Sequence, residues 1–172
     1  MTDPMPVAEL LFSEADATPM STDTATVKPW SQASACLQAA SKAWLSTVRP
    51  DGRPHAMPVM PGWADETPYI ATRPASRKAR NLDGNPNCVL TVAGADLDLV
   101  VEGTATRVQD PDRLQQVADA FMAKYQWRFT ILDGSVYDGS LPGPPEYAFY
   151  RVTPVRAFGY GPDGLTATRW RF

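Results

Sequence analysis

The residues best suited to chemistry in this chain are Ser76, Arg77 and Lys78, which directly follow one another. Serine is a preferred N-cap, so a helix should begin here with Arg77 and Lys78 in its first turn. Two cations are unfavourable at that end of a helix, because the helix dipole is already positive there. Positive charge beside unpaired backbone N–H groups forms an anion site, and phosphate is a common ligand of such sites. The alternative is an ordinary solvated basic turn.

Arg73 and Arg80 extend this basic stretch, and no acidic residue interrupts it before Asp83. The positive charge is local, since the chain of 172 residues carries a net charge of −3. A chain of that charge has no general attraction to nucleic acid or membranes, and no apolar run is long enough to span a bilayer. We therefore expect a cytoplasmic protein that binds neither of them.

The other reactive side chains indicate no metal site. Cys36, Cys88 and the single histidine, His55, are distant in the sequence and match no metal-binding spacing. No pair of carboxylates and no Ser-His-Asp grouping is evident, so no catalytic residue is assigned. His55 is either a turn residue or a donor of a hydrogen bond or proton to a substrate.

The elements that position the basic turn are mainly strands. Alternating and apolar runs predict strands over residues 43–48, 68–72, 87–93, 97–108, 147–152 and 155–159. Asp51-Gly52 predicts a hairpin, and the strand that returns from it over 55–63 contains Pro58 and Pro61. Proline inside a strand indicates an edge or a bulge, where unpaired backbone is free to face a ligand. A simple edge strand explains the same pattern.

Helices and loops complete the body of the chain. A short helix is predicted over 31–40, and an amphipathic helix with one buried face is predicted to start after the capping residue Asp110. The Gly- and Pro-rich residues 133–145 predict a loop. Gly103 lies within a predicted strand and indicates a bulge or the close approach of a second backbone.

The two ends of the chain differ from its body. Residues 1–32 are predicted to form a mostly flexible arm, in which the apolar patch 7–12 can dock on the body. Residues 165–172 are aromatic and basic, which is unusual for a terminus that frays. We expect this terminal segment to dock against another surface, such as a second subunit.

The order of these segments resembles the split β-barrel flavin and deazaflavin oxidoreductases, a family that includes the pyridoxamine 5′-phosphate oxidases. The matching stretches are 44–55, Thr72 with 76–82 and 85–86, 100–103, and 167–170. The resemblance covers residues 40–172, and it depends on the order and spacing of the pieces. It implies a mainly β fold with some α, an antiparallel split β-barrel with a short phosphate-binding helix and a longer amphipathic helix. A single domain over residues 33–172 would hold the cofactor.

The resemblance also implies how a cofactor is held. FMN or coenzyme F420 would be bound through its phosphate, and the cofactor sites of a homodimer would lie at the subunit interface. Thr72, Arg77 and Lys78 match the phosphate ligands of the family, with Ser76 as the cap and Asn81 as a further candidate. The strand residues Met57, Pro58, Val59 and Met60 would lie along the ring system. Arg169 and Trp170 would reach the site from the other subunit.

One departure from the oxidase branch affects the choice of cofactor. Residues 56–61 contain no basic side chain, whereas basic residues in this strand help to hold FMN in the oxidases. This departure favours the deazaflavin branch, and Arg73 and Arg80 would add positive charge for the anionic tail of F420. The sequence therefore predicts an F420-dependent oxidoreductase that transfers a hydride between the deazaflavin and a small organic substrate. The alternatives are an FMN-dependent enzyme with the same barrel and a non-enzymatic barrel that carries a cofactor or binds haem.

Overall fold

Eleven strands and three α-helices form the part of the chain that the computed structural model describes, residues 5–13 and 22–172. The helices are α1 (Trp30–Ala39), α2 (Arg77–Gly84) and α3 (Pro111–Tyr125). The strands are β1 (Val7–Leu10), β2 (Ala43–Val48), β3 (Pro54–Val59), β4 (Pro61–Ala64), β5 (Thr67–Thr72), β6 (Asn87–Val92), β7 (Asp98–Arg107), β8 (Phe129–Leu132), β9 (Ser135–Asp138), β10 (Glu146–Tyr160) and β11 (Ala167–Arg171). The strands that pair in this part of the chain are antiparallel.

The main sheet follows the order β1-β11-β10-β7-β6-β2-β3 and does not close on itself. The long strand β10 connects this path to a second branch, because its first half pairs with β5 and its second half pairs with β11. Strand β4 pairs with β5, and the β8–β9 hairpin pairs with the start of β10. An open antiparallel sheet that curls around a core in this way is a split β-barrel, as predicted.

A bulge lies in β10 between the runs 147–152 and 155–159, which were predicted to form one closing strand or two. The register between β10 and β7 shifts between Pro154 and Arg156, and the strand continues beyond the shift. Gly103 of β7 lies opposite this bulge, and a Cβ atom added there would lie 2.2 Å from the carbonyl oxygen of Thr153. The close approach of a second backbone predicted at Gly103 is therefore confirmed.

The predicted loop over 133–145 is wrong in its first part. Residues 129–132 and 135–138 form the β8–β9 hairpin, which turns through Asp133 and Gly134 with φ angles of 50° and 77°. Positive φ at both central residues matches the twist of the flanking strands, so a two-residue turn suffices. The strands are only four residues long, and such short runs carry little alternation.

Part of the predicted N-terminal arm is docked on the sheet. Strand β1 pairs with β11, and Glu9 forms ion pairs with Arg169 at 2.6 Å and Arg171 at 2.7 Å. The docking predicted for the patch 7–12 is confirmed for this strand. Residues 1–4 and 14–21 of the predicted arm lie outside the described residues.

The aromatic C-terminal segment docks within its own chain. Trp170 is fully buried, its indole Nε1 donates to the carbonyl oxygen of Lys28 at 3.0 Å, and its ring contacts Trp30 edge-on. A Cβ atom added at Gly159 would lie 2.6 Å from the Trp170 ring. Burial in its own core leaves Trp170 no surface to offer a second subunit, so the structure corrects the role predicted for it.

Two apolar clusters fill the molecule. The first lies inside the curled sheet and includes Leu45, Leu90 and Leu99. The second is aromatic and is centred on Phe121 of α3, which stacks on Phe149 and packs edge-on against Phe129. The buried face predicted for α3 is the face that enters this second cluster. The site described next lies where the two clusters meet.

Candidate cofactor site

A groove of about 610 Å³ opens between the two apolar clusters. It is bordered by the edge strand β3, the end of β5, the beginning of α2 and the end of α3. Its lining residues are Ser41, Lys42, Pro58, Val59, Met60, Ala71, Thr72, Arg73, Ser76, Lys78, Tyr125, Trp127 and Tyr147. This lining contains three cationic side chains and no carboxylate, so the groove suits a ligand with an anionic group and an uncharged body.

The cationic end of the groove is the predicted helix start. The Ser76 side chain accepts a hydrogen bond from the backbone N–H of Ala79 at 3.2 Å, which makes it the N-cap of α2. The Thr72 hydroxyl, at the end of β5, lies 2.9 Å from the Ser76 hydroxyl. The N–H of Ala79 is taken by this cap, and the earlier N–H groups of the helix, those of Arg77 and Lys78, have no intrahelical acceptor and can bind an anion.

Lys78 is the cation of this helix that lines the groove. Its side chain is partly buried, and that burial lowers the pKa of its ammonium group. Among the described residues no acidic side chain forms an ion pair with it. A partly desolvated cation without a counter-ion gains from binding an anion, and here the hydroxyls of Thr72 and Ser76 lie at the same end of the groove.

Aromatic side chains form another part of the lining, the aromatic wall. The Tyr147 ring contacts Trp127 edge-on at 5.3 Å, and the Arg73 guanidinium lies 5.9 Å from its centroid. The Tyr125 hydroxyl donates to the carbonyl oxygen of Pro61 at 2.8 Å, which ties the end of α3 to the start of β4. These contacts hold the wall in place from three separate parts of the chain.

The predicted ring-binding strand lies at the groove, with one exception. Pro58, Val59 and Met60 line it. Within the described residues β3 pairs with β2 alone, so its outer edge is unpaired there, as the prolines indicated. Met57 is 41% exposed and lies outside the lining.

Four other predicted site residues do not meet in the groove. Arg77 is exposed on the first turn of α2 and outside the lining. Asn81 is buried on the inner face of α2 and donates through Nδ2 to the Thr47 hydroxyl at 2.9 Å, so it holds the helix on β2. Arg169 pairs with Glu9, and Trp170 lies in the core, as described above.

Sequence reasoning missed several lining residues. Arg73 was recognised as part of the basic stretch but was not assigned to the site. Tyr125 was visible only as the last residue of the buried helix face. Lys42, Trp127 and Tyr147 had no local signal, because they come from a turn, a connection and a strand end that are far apart in the sequence.

Other classes of site find no support in the described part of the chain. Within residues 5–13 and 22–172, no three His, Cys, Asp or Glu side chains gather as the ligands of a metal ion would. In the same residues no helix has the length and apolar character needed to cross a membrane.

Comparison with known sequences identifies relatives of this chain. Residues 30–160 match the family model described as pyridoxamine 5′-phosphate oxidase. A pyridoxine/pyridoxamine 5′-phosphate oxidase of Rubrobacter xylanophilus is 28% identical over 138 residues. That alignment covers 65% of this chain and 61% of the relative, so the chain spans about three fifths of the relative's length.

Three solved structures share the fold. A conserved hypothetical protein of Mycobacterium tuberculosis has a TM-score of 0.62 and 20% identity, with 88% of this chain and 86% of that chain covered. A pyridoxamine 5′-phosphate oxidase-related, FMN-binding protein of Nostoc punctiforme has a TM-score of 0.56 and 20% identity, with 83% and 89% covered. A heme-binding protein of Mycobacterium smegmatis has a TM-score of 0.57 and 19% identity, with 78% and 55% covered. With its open antiparallel barrel and the family match over most of its length, the chain belongs to the pyridoxamine 5′-phosphate oxidase family of flavin-binding split barrels.

Proposed function

We propose that this protein is a flavin-dependent oxidoreductase that binds FMN in the groove between β3 and α2. The observation that carries the proposal is the half-buried Lys78 beside the cap of α2, in a groove whose lining is partly aromatic and contains no carboxylate. The phosphate of FMN would bind Lys78, the hydroxyls of Thr72 and Ser76, and the first N–H groups of α2. The volume of about 610 Å³ lies within the range of small-molecule sites.

The residues of the groove would perform distinct tasks. Lys78 and Ser76 would hold the anionic end of the cofactor, and the lining residues Pro58, Val59 and Met60 would contact its ring system. When bound, FMN supplies the hydride-transfer chemistry. The wall of Tyr125, Trp127 and Tyr147 excludes water from that region and leaves room for a planar, uncharged part of a substrate.

The test is a titration of the purified protein with FMN, followed by flavin fluorescence. We expect saturable binding of one FMN per chain and markedly weaker binding of riboflavin, which has the same ring system but lacks the phosphate. Equal affinity for the two flavins would contradict a phosphate site at Lys78. Failure of FMN to saturate the protein would overturn the proposed function.

Coenzyme F420 is the second candidate, and two observations support it. Strand β3 carries no lysine or arginine, and Arg73 extends the cationic end of the groove beyond Lys78. The anionic tail of F420 would use that additional charge, which FMN would leave unused. The same titration separates the candidates. An affinity for FMN at least tenfold higher, a difference of about 1.4 kcal/mol, would exclude F420 as the preferred cofactor.

Haem is the third candidate, because one structure with the same fold is a heme-binding protein. The groove lining contains neither histidine nor cysteine, and His55 lies outside it. Met60, Tyr125 and Tyr147 are its possible axial ligands, and the Tyr125 hydroxyl already donates to Pro61. The lack of histidine and cysteine in the lining supports FMN over haem as the cofactor. A haem titration in which the Soret band does not shift would support the same choice.

We also propose that the protein is a homodimer, as the family resemblance implies. The outer face of the sheet exposes apolar side chains, among them Trp44 of β2 at 48% and Val155 of β10 at 52%. Val48 and Val155 line a second cavity of about 440 Å³ on this face. A second copy would cover this apolar surface, which is adjacent to the edge strand of the groove.

A further inference from the structure

A second group of positive side chains lies between the β2–β3 hairpin and the first turn of α2. It consists of Arg49, His55 and Arg77, and it adjoins Lys78. Partial burial lowers the pKa of the His55 imidazole, and the positive charges of Arg49, Lys78 and Arg77 lower it further. Hydrogen bonds bring the hairpin and the helix together, because the Thr47 hydroxyl lies 3.4 Å from the His55 Nδ1 atom and accepts from Asn81 of α2 at 2.9 Å. The group lies outside the lining of the groove except at Lys78.

Arg49 is the member of this group with a buried, unsatisfied hydrogen-bond donor. Its Nε atom is buried and has no hydrogen-bond partner. The acid nearest in sequence, Asp51, is already engaged by Arg53, whose Nη2 lies 2.6 Å from its Oδ2 and whose backbone N–H donates to its Oδ1. A buried donor without a partner is rare in folded proteins and calls for a specific explanation.

The other members also lack a counter-ion. Among the described residues neither Arg77 nor His55 forms an ion pair. The His55 imidazole has one neighbour of note, the Thr47 hydroxyl, which lies 3.4 Å from Nδ1 and also donates to the His55 carbonyl oxygen. The Asp51 carboxylate, which is already paired with Arg53, feels the charge of Arg49 and offsets part of it, so the cluster keeps a positive potential.

We propose that Arg49, His55 and Arg77 form an anion subsite that continues the cationic end of the groove at Lys78 and holds a phosphate or carboxylate group of the bound cofactor. The proposal rests on the proposed function, because Lys78 belongs to both places. The subsite supplies the positive charge that residues 56–61 lack, and it does so from the hairpin that leads into β3. Arg49 would donate its buried Nε–H, and His55 would become protonated when the anion binds.

The first experiment compares Arg49→Gln with Arg53→Gln as a matched control on the same hairpin. Both variants lose one arginine charge, but Arg53 is neutralised by Asp51 and is largely exposed. Each protein is titrated with FMN, riboflavin and coenzyme F420. We expect Arg49→Gln to weaken binding of the phosphorylated cofactor about tenfold or more, with riboflavin unchanged, and Arg53→Gln to leave all three affinities unchanged.

The pattern of losses identifies the anionic group. A loss for both FMN and F420 assigns the subsite to the phosphate that the two share. A loss for F420 alone assigns it to the carboxylates beyond that phosphate. Unchanged affinities for both cofactors in Arg49→Gln overturn the subsite, and the proposed function then stands on Lys78 alone. An equal loss of affinity in Arg53→Gln also overturns the subsite, because the effect would then come from the net charge of the protein and not from the position of Arg49.

The second experiment does not require a flavin. His55 is the only histidine, so its ring protons give a single resolved NMR titration. Adding inorganic phosphate to the wild-type protein should raise the pKa of His55, because the anion faces it together with Arg49, Arg77 and Lys78. Sodium chloride at equal ionic strength is the control. If phosphate and chloride act alike, the subsite is absent, whether or not the protein binds FMN.

Discussion

The Lys78 ammonium group is partly buried, and among the described residues no acidic side chain forms an ion pair with it. A hydrogen bond to a charged group is worth about 1.5–3 kcal/mol, so Lys78→Ala should weaken FMN binding roughly tenfold to a hundredfold. The stability of the fold should barely change, since a cation in the first helical turn is unfavourable. Flavin titration and urea unfolding of the same variant measure the two effects.

Arg80→Ala is the matched control for Lys78→Ala. Arg80 is one of the cations of the same helix, but it is exposed and does not line the groove. Its loss should alter neither FMN affinity nor stability. If Lys78→Ala binds both FMN and F420 as tightly as the wild type, the phosphate site has to be abandoned, and the proposed function with it.

Asn81 joins two elements of the fold, whereas the family resemblance implied that it is a phosphate ligand. Its side chain is 2% exposed and bonds the Thr47 hydroxyl, which joins α2 to β2. Asn81→Ala should lower the free energy of unfolding by about 1–3 kcal/mol, because it leaves the buried Thr47 hydroxyl short of a partner. Chemical denaturation measures this loss. A large loss of FMN affinity in a variant of unchanged stability would instead restore Asn81 as a phosphate ligand.

A substitution at Gly103 tests how closely β7 packs against the bulge in β10. A methyl group there would meet the Thr153 carbonyl oxygen at 2.2 Å, and this neighbour is backbone, which cannot move aside as the end of a flexible side chain can. Gly103→Ala should therefore destabilise the protein by about 3 kcal/mol or more, seen as a lower midpoint in thermal or urea unfolding. Gly84→Ala, where nothing lies within 4 Å, is the control and should be neutral or slightly stabilising. Equal effects of the two substitutions would show that the bulge tolerates a side chain.

The proposed homodimer would bury the apolar outer face of the sheet, which includes Trp44. A charge placed in the apolar outer face, as in Trp44→Glu, should convert the proposed dimer into a monomer, because burying an unpaired carboxylate is costly. Sedimentation of both proteins at micromolar concentration measures this. Trp44 points away from the core, so the monomeric variant should keep its fold by circular dichroism. A wild-type protein that is monomeric under these conditions would rule out a shared cofactor site.

Many features of this protein could be predicted from short stretches of its sequence. The caps at Ser76 and Asp110, the alternation of β2 and the bulge opposite Gly103 all follow from rules that act within a few residues of the chain. For the same reason the helix start at Ser76 and Lys78, which lines the candidate site, could be predicted, since it lies in one continuous segment. Pro58 likewise indicated the edge strand because its missing N–H excludes a central position.

Only the tertiary structure decided which distant segments meet. The wall of the groove brings together Tyr125, Trp127 and Tyr147, while Trp170 turned inward to the carbonyl of Lys28. Periodicity shows that one face of a helix or strand is buried, but it does not show against which partner. Asn81 and Arg77 lie four residues apart on one helix, yet the packing of α2 on β2 buries the first and exposes the second. Contacts between residues far apart in the chain are set by packing of the whole core, and no short stretch of sequence contains that information.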